Sequence, residues 1–312
     1  MKQAMAIGTG KYERLLERCL SLEPVSTAVA YPCEASALSG ALEAAGRKLI
    51  TPILVGPAEK IAAIARDNGI DLGKLEIVDV SDSIAAAAKA VALIREGRAE
   101  VLMKGSLHTD ELLGAVVARD VGLRTGRRIS HAFIMDVPTY HKVLIVTDAA
   151  INIAPTLEDK VHICQNAIDL AVSLGREKPK VAILCAVETV NSKMQATLDA
   201  AALCKMAERG QIKDGILDGP LAFDNAISKQ AAVTKGITSE VAGDPDILVA
   251  PDLEAGNILA KQLSFLANAD SAGMVLGARV PVILTSRADS VRSRIASCAV
   301  ANLMAHARRT KL

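Results

Sequence analysis

The stretch at residues 180–210, KVAILCAVETVNSKMQATLDAAALCKMAERG, decides the fold class. Its first eight residues, 180–187, are almost entirely apolar, which is typical of a strand buried on both faces of a sheet. Residues 191–210 have helical character and end at Gly210, a residue type that commonly terminates helices. An apolar strand followed directly by a helix is the unit of α/β proteins, in which helices cover a parallel sheet.

The same strand–helix unit recurs on both sides of this stretch. Further strands are predicted at 26–30, 51–56, 99–105, 142–148, 214–218, 246–252 and 281–286. Further helices are predicted at 35–46, 57–69, 82–97, 157–174, 256–270 and 288–307. About ten strands are too many for one sheet of ordinary size, so the pattern predicts two α/β domains that meet near residues 151–156.

The composition argues against several classes of function. The chain has 312 residues, 51% of them hydrophobic but only 2% aromatic, and single-stranded nucleic acid is bound largely by aromatic stacking. Lys plus Arg total 36 against 35 for Asp plus Glu, so no net charge draws the protein to nucleic acid or to a membrane. No apolar run reaches membrane-spanning length, and the six cysteines form no CxxC pair. We therefore expect a cytoplasmic protein that acts on small molecules and has no metal site.

Polar side chains cluster directly after the predicted strands. Ligands of open α/β sheets bind at the carboxyl ends of strands, and these clusters share that structural position, so we expect them to contain the site. They are GSLHTD (105–110), DAAINIAP (148–155), ETVNSK (188–193), GPLAFDNAIS (219–228), PDLEAGN (251–257) and SRADS (286–290). Gly219 and Pro220 are expected to form the turn after their strand.

Two of these loops favour an anion. SRADS precedes the N-terminus of the last helix, where backbone N–H groups and the helix dipole attract negative charge, and Arg287 can bind phosphate through two parallel hydrogen bonds. The alternative is that Ser286 is a helix cap and Arg287 a surface charge. KGSLHTD combines Lys104 with a glycine turn, Ser106 and Thr109, and is either a second anion site or a capped loop with a solvated lysine.

Three other side chains could carry chemistry on weaker grounds. His108 and His131 could transfer protons, although a single histidine is more often structural. Cys33 follows a predicted strand and could be a nucleophile, but no base is identifiable beside it.

Several strings together resemble the phosphate acetyltransferase/phosphate butyryltransferase family, with the butyryltransferase branch the closer match. They are LMKGSLHTDELL, ISHAFIM, VTDAAINIAP, KVAILCAVETVNSKMQAT, DGPLAFDNAIS, VAGDPDILVAPDLEAGN and PVILTSRADS, and they extend from about residue 100 to the C-terminus. The resemblance implies transfer of an acetyl or butyryl group between coenzyme A and inorganic phosphate, without a tightly bound cofactor. It also implies a homodimer or a larger homo-oligomer.

The resemblance carries a fold with it. It implies two three-layer αβα domains with mainly parallel sheets and a cleft between them, as in isocitrate and isopropylmalate dehydrogenases. The last helix would return to the first domain, which then comprises 1–150 plus 288–312, and the second domain comprises 151–287.

The resemblance also assigns site residues. Ser286 and Arg287 match the family's active-site Ser-Arg pair, and Asp289 is the nearest candidate for the general base. Acetyl-specific members carry an Asp where Ser293 stands and an Arg where Ser264 stands, so the base is an open question. The residues expected to contact substrate are Lys104, Gly105, Ser106, Thr109, Ser130, Asp224, Asn225, Asp252 and Asn257.

Two other functions stay open on the sequence. A decarboxylating dehydrogenase of the same fold would need a metal-binding cluster of aspartates. Asp218, Asp224 and Asp252 could be mistaken for such a cluster, but the strings around them do not match those of such dehydrogenases. A non-catalytic acyl-CoA-binding regulatory protein would account for the altered positions at Ser264 and Ser293.

Overall fold

The computed structural model describes residues 10–285 and 289–310. The strands are β1 (Val25–Ala30), β2 (Ile50–Gly56), β3 (Glu76–Asp79), β4 (Val101–Lys104), β5 (Ser130–Asp136), β6 (Leu144–Thr147), β7 (Lys180–Leu184), β8 (Ile216–Leu221), β9 (Ile247–Val249), β10 (Asp270–Leu276) and β11 (Val282–Ile283). The helices are α1 (Lys11–Cys19), α2 (Ala35–Gly46), α3 (Ala58–Asp67), α4 (Ser83–Arg95), α5 (Thr109–Val117), α6 (Leu157–Ser173), α7 (Gln195–Glu208), α8 (Phe223–Ile227), α9 (Lys229–Thr234), α10 (Leu253–Leu266) and α11 (Val291–Arg309).

These strands form one continuous sheet in the order β3-β2-β1-β4-β11-β10-β5-β6-β9-β7-β8. The first half, β3-β2-β1-β4-β11, is parallel throughout. The second half, β6-β9-β7-β8, is also parallel throughout. Between them, β10 is antiparallel to both β11 and β5, and β5 is antiparallel to β6. The two halves therefore run in opposite directions.

Helices cover both faces of the sheet. One face packs on α1, α2, α3, α6, α7 and α11, through a single large apolar core. On the other face, α4 and α5 cover the first half and α8, α9 and α10 cover the second. The predicted three-layer α/β class with mainly parallel strands is therefore confirmed.

The last helix lies in the middle of the molecule. Every residue of α11 from Ser293 to Ala305 is buried, as expected for a helix that is surrounded on all sides. It packs against α1 and α2. The Asn302 side-chain amide donates to the carbonyls of Glu23 and Leu49, which precede β1 and β2, at 3.1 and 2.8 Å. Within the described residues, no helix is both long and apolar enough to span a membrane.

One expectation about the sheet is wrong. The strands belong to one sheet instead of two, because β10 and β11 hydrogen-bond to β5 on one side and β4 on the other. The polar loops do follow strands, but they leave the sheet at two opposite ends, because the two halves run in opposite directions. The division into two domains stays a prediction.

Candidate active site

The carboxyl ends of β1 and β4 are joined closely. Tyr31 has a φ of 53°, which is uncommon for a residue other than glycine, and its carbonyl accepts the Ser106 N–H at 2.8 Å and the Ser106 hydroxyl at 2.9 Å. The Gly105 N–H donates to the Ala30 carbonyl at 2.8 Å. A Cβ atom on Gly105 would lie 2.4 Å from the carbonyl oxygens of Ala30 and Tyr31, so the close approach of the two strand ends requires glycine here.

This join determines where the KGSLHTD loop presents its polar groups. Lys104 is the last residue of β4, and it is buried together with Gly105 and Ser106. Thr109 is the exposed first residue of α5, and the exposed His108 precedes it. The structure thus brings three of the four predicted residues of this loop together beneath the surface and leaves Thr109 at the surface.

The N-terminus of α11 follows β11 in the first half of the sheet. The predicted residues Ser286 and Arg287 lie outside the described residues. Asp289 is half-buried and precedes Ser290, the N-cap of α11. The Ser290 hydroxyl accepts the Ser293 N–H at 3.1 Å, so Ser293, where acetyl-specific relatives are expected to carry Asp, belongs to the helix cap.

One functional candidate on α11 was not predicted from the sequence. Arg294 is only 3% exposed, and its guanidinium donates to the Thr285 hydroxyl at 3.1 Å, just beyond β11. Its side chain passes over Gly40 of α2, where a Cβ would lie 2.8 Å from the Arg294 Cδ. The sequence feature that could have identified Arg294 is the run of small or apolar residues that follows it on every side of the helix, which indicates a buried helix and hence a buried arginine.

Ser130 lies apart from these groups. It begins β5, is fully buried, and its hydroxyl accepts a hydrogen bond from the Asn166 side-chain amide at 3.0 Å. Ser130 pairs with Leu276, whereas Ile283 near the end of β11 pairs with Met274, so Ser130 lies toward the opposite end of the strands from the start of α11.

A second group of predicted residues surrounds the loop after β6. The Asp148 carboxylate accepts the backbone N–H groups of residues 150–152, at 2.9 to 3.1 Å, which fixes the loop. The Asn257 side chain donates to the Ala149 carbonyl at 2.9 Å, and Asp252 accepts a backbone N–H in the first turn of α10 at 2.8 Å. Asn257 therefore holds α10 against this loop, and Asp252 caps the N-terminus of α10.

The opening of α8 carries the remaining predicted pair. Lys235 forms ion pairs with Glu188 at 3.0 Å and with Asp224 at 3.3 Å. Hydrogen bonds from the Asn225 backbone and from Lys235 lower the pKa of the exposed Asp224. Asn225 is fully buried, and its side-chain amide donates to Glu188 at 3.3 Å. Its Oδ1 has no hydrogen-bond partner among the described residues, which is unusual for a buried oxygen.

The Gly-Pro pair ahead of α8 is not in a turn, contrary to expectation. Gly219 and Pro220 both lie within β8, which continues to Leu221. Proline lacks an N–H to donate, and it is tolerated here because β8 is an edge strand of the sheet.

Two of the weaker candidates are explained by burial. Burial raises the pKa of the Cys33 thiol to about 11, with Lys60 acting weakly in the other direction, so the thiol is protonated near neutral pH and is a poor nucleophile. Burial lowers the pKa of His131 to about 4, against the opposing charge of Asp148, so the imidazole is neutral. Its Nδ1 has no hydrogen-bond partner within the described part of the chain.

The aspartates that a metal-dependent dehydrogenase would use do not converge in the described residues. Asp218 accepts the neighbouring Gly219 N–H at 2.8 Å, Asp224 pairs with Lys235, and Asp252 caps α10. In residues 10–285 and 289–310, no group of three or more His, Cys, Asp or Glu side chains could hold a metal ion.

Comparison with known proteins gives concordant results. The family model described as phosphate acetyl/butaryl transferase matches residues 80–302. A phosphate acetyltransferase of Rhizobium meliloti is 64% identical over 96% of this chain and 95% of its own length. A phosphate butyryltransferase of Clostridium beijerinckii is 42% identical over 94% of this chain and 97% of its own length. The higher identity to a protein named acetyltransferase does not support the expected closeness to the butyryltransferase branch.

The solved structures agree with the fold. A branched-chain phosphotransacylase from Enterococcus faecalis has a TM-score of 0.78 and 30% identity, covering 90% of this chain and 99% of its own. A 4-hydroxythreonine-4-phosphate dehydrogenase from Burkholderia phymatum has a TM-score of 0.55 at 13% identity, covering 90% of this chain and 98% of its own, and shows likeness of fold alone. The expected relation to a dehydrogenase-like fold is thereby confirmed.

Proposed function

The chain belongs to the phosphate acetyl/butyryltransferase family, whose reaction moves an acyl group between coenzyme A and phosphate, and from this premise we propose how its residues carry out that reaction. The observation that carries the function is the 64% identity with a phosphate acetyltransferase over nearly the whole of both chains. The substrates are acyl-CoA and inorganic phosphate in one direction and acyl phosphate and coenzyme A in the other. We propose that no tightly bound cofactor takes part.

The reaction requires three tasks of the protein. The coenzyme A thiolate attacks the carbonyl carbon of the acyl phosphate, a C–S bond forms, the C–O bond to phosphate breaks, and phosphate leaves. The thiol proton must be removed, the oxyanion must be stabilised, and phosphate must be held. No covalent bond to the enzyme is needed, so orientation and electrostatic stabilisation supply the rate enhancement.

We assign the phosphate to Arg287 and the N-terminus of α11. A guanidinium binds phosphate through two parallel hydrogen bonds, and the helix N-terminus adds positive potential at the same place. Ser286 would hydrogen-bond the carbonyl oxygen or the thiol. The buried Lys104, Gly105 and Ser106 at the end of β4 would form the neighbouring wall of the phosphate site, since β4 and β11 are adjacent parallel strands whose carboxyl ends lie side by side.

We assign the general base to Asp289. It directly precedes Ser290, the N-cap of α11, and lies two residues after Arg287 in the sequence. Ser293 has no proton-accepting group of comparable strength, and its N–H and hydroxyl both interact with Ser290. Asp289 therefore takes the role that acetyl-specific relatives are expected to give to an Asp at the Ser293 position.

The residues of the second half of the sheet have unequal claims as substrate contacts. Asn225 is the strongest, because its buried Oδ1 has no partner among the described residues and a ligand N–H or O–H would satisfy it. Asp224, Asp252 and Asn257 already have structural partners, so any contact with substrate would be additional. We retain Ser130 and Thr109 as candidates on the resemblance alone.

We propose short acyl groups, from acetyl to butyryl, as substrates, because relatives with both names match almost the whole chain. We also propose a homodimer in the cytoplasm. Exposed apolar side chains recur along α10 at Ile258, Phe265 and Leu266, a spacing that places them along one side of the helix, and homodimers are the commonest oligomers. All six cysteines are free thiols, as in proteins of a reducing compartment.

Turnover by the purified protein tests the function. Acetyl-CoA and butyryl-CoA are each mixed with phosphate, and release of free coenzyme A is followed with and without NAD and magnesium. We expect phosphate-dependent release that needs neither addition. Turnover only with NAD and magnesium would support a dehydrogenase, and tight binding of acyl-CoA without turnover would support a regulatory protein.

A further inference from the structure

The segment that connects β11 to α11 is anchored at both of its ends. At its start, the Leu284 N–H donates to the Gly273 carbonyl of β10 at 3.2 Å. At its end, Ser290 caps α11. Further along the helix, the Ser297 hydroxyl accepts the Gly273 N–H at 3.1 Å, which ties α11 to the same strand. The Ser286–Arg287 pair lies between these two anchors in the sequence.

A buried side-chain bond joins the two ends of this segment. Arg294, in the first turn of α11, donates from its guanidinium to the Thr285 hydroxyl at 3.1 Å. Each of the two residues is only 3% exposed. Long side chains of a helix point back toward its N-terminus, which is the direction in which Arg294 reaches Thr285. Because Thr285 directly precedes Ser286, the bond fixes the residue next to the pair that we assign to the reaction.

The neighbouring helix α2 leaves room for Arg294. Gly40 lies in the middle of α2, and a Cβ atom there would be 2.8 Å from the Arg294 Cδ and 3.7 Å from its Cβ. Glycine weakens the interior of a helix relative to alanine, so the passage of the arginine side chain explains why glycine stands at this position. The path of Arg294 toward Thr285 is therefore built into two helices.

An arginine is a costly residue to bury here. Removing a guanidinium from water is unfavourable unless hydrogen bonds satisfy its donors, and an apolar side chain would fill the same space without that cost. The residues that follow it on α11, Ile295 and Ala296, are apolar and equally buried. What Arg294 adds is a rigid, planar set of N–H donors, one of which holds Thr285.

We propose that Arg294 is a positioning residue for acyl transfer: it holds Thr285 and thereby orients the adjacent Ser286–Arg287 pair toward phosphate. The inference rests on the proposed assignment of phosphate to Arg287. A guanidinium forms two parallel hydrogen bonds to phosphate only when its plane is aligned with the phosphate oxygens, so a small rotation of the segment weakens the contact. Arg294 acts through its neighbours in the chain and makes no contact with substrate itself.

Isosteric variants of Thr285 test this role. Thr285→Val removes the hydroxyl and keeps the volume, whereas Thr285→Ser keeps the hydroxyl. We expect Thr285→Val to raise KM for phosphate about tenfold, equivalent to ~1.4 kcal/mol, with KM for coenzyme A unchanged, and Thr285→Ser to recover most of that loss. Thr27→Val is the matched control, because it removes an equally buried hydroxyl of β1 that donates to the Val25 carbonyl. An unchanged KM for phosphate in Thr285→Val overturns the proposal.

Variants that act on Arg294 itself provide a second route to the same result. Gly40→Ala displaces the arginine without removing its charge and should also raise KM for phosphate. Gly46→Ala, in the same helix, is the control, since nothing lies within 4 Å of its Cβ position. Arg294→Gln should have the same effect as Thr285→Val, and the other variants carry the test if loss of the buried arginine unfolds the protein.

A double-variant cycle shows whether the effect passes through Arg287. Thr285→Val should lower kcat/KM about tenfold in the wild type but less than about twofold in the Arg287→Ala protein, where no guanidinium is left to orient. A purely structural role for the Arg294–Thr285 bond would give the same loss in both backgrounds. Equal losses would therefore overturn the proposal.

A binding measurement separates this proposal from the proposed function. The melting temperature of each protein is followed as inorganic phosphate is added, which requires no turnover, because a ligand of the folded state raises Tm in proportion to its occupancy. A rise in the wild type and in Thr27→Val that needs about tenfold more phosphate in Thr285→Val and is lost in Arg287→Ala supports the positioning role. The same response in the wild type and Thr285→Val, or no response in the wild type, overturns it whether or not acyl transfer is observed.

Discussion

Replacing Gly105 by alanine tests the join between β1 and β4 that supports the candidate site. The added Cβ would lie 2.4 Å from two backbone carbonyl oxygens, whereas ordinary contact begins near 3.4 Å. Both obstacles are backbone atoms at the end of a central strand, so no side chain can rotate away to make room. The loop after β4 must therefore move by about 1 Å.

The magnitude follows from the bonds that such a shift lengthens. Gly105 N–H to Ala30 and Ser106 N–H to Tyr31 are both 2.8 Å, and the Ser106 hydroxyl donates to Tyr31 at 2.9 Å and accepts the Cys33 N–H at 3.0 Å. An added ~1 Å takes each beyond hydrogen-bonding distance. At ~1 kcal/mol per bond, the free energy of unfolding should fall by about 2–4 kcal/mol. Because Lys104 moves with the loop, kcat/KM should fall by about a hundredfold.

Urea unfolding and steady-state kinetics measure the two effects separately. Gly114→Ala in α5 is the matched control, since nothing lies within 4 Å of its Cβ position. That change should be stabilising by about 0.5–1 kcal/mol, because alanine favours a helix over glycine. If Gly105→Ala is as stable and as active as the wild type, the reasoning about the strand join is refuted.

The other predictions concern charge. Arg287→Ala should reduce kcat/KM by about a hundredfold with an unchanged melting temperature, and Arg287→Lys should recover only part, because an ammonium cannot form two parallel bonds; a loss of stability instead would indicate a structural role. Asp289→Asn should reduce kcat at least ~10-fold near neutral pH, with the loss shrinking as pH approaches the thiol pKa; a pH-independent loss would mean that Asp289 orients Arg287 without removing a proton. Lys160 and Asp199 form a buried ion pair at 2.7 Å, so Asp199→Asn would leave the Lys160 charge buried and unpaired, and the free energy of unfolding in urea should fall by about 3–5 kcal/mol. Replacing both residues by apolar ones should cost less, and equal losses in the two variants would contradict the idea that the unpaired charge causes the loss. Burial holds the pKa of His131 near 4, below its unfolded value of about 6.5, so the unfolded chain takes up the proton first as the pH falls. The free energy of unfolding should therefore decrease between pH ~6.5 and ~4, by about 3 kcal/mol at ~1.4 kcal/mol per pH unit. His131→Gln should lack this part of the pH dependence, and an identical pH dependence in both proteins would rule out a contribution from His131.

Local sequence pattern was sufficient for the parallel parts of the fold. Apolar runs ending at glycine or at polar residues located β1, β2, β4, β6, β7 and β9, and the predicted helix at 35–46 has the bounds observed for α2. Of the three strands that the pattern missed, β5 and β10 join the two halves of the sheet. Polar residues interrupt β5 and begin β10, so neither presents a continuous apolar run. The reversal of direction depends on which distant strands pair, and that information is not local.

The sequence located the candidate site at the carboxyl ends of β4 and β11, but it did not locate the predicted residues of the second half of the sheet. The KGSLHTD loop and the start of α11 could be identified because a strand, a helix start and a cation adjoin in sequence. The sequence did not show that Ser130, Asp252 and Asn257 lie in other loops with structural partners of their own, since that depends on the direction of the second half. Arg294 was overlooked because a helical arginine is usually exposed, whereas α11 is enclosed on all sides.

The central position of β10 and β11 constrains how the chain folds during synthesis. The strands that bind them, β4 and β5, are complete by residue 136, but β10 and β11 consist of residues 270–283. Until the ribosome has released that segment, the nascent first half has an unpaired edge at β4 and lacks α11, the helix that fills its core. An unpaired edge of apolar residues is a template for association with other chains. The chain should therefore depend on chaperones late in translation, and a truncation before residue 270 should aggregate, although it retains nine of the eleven strands.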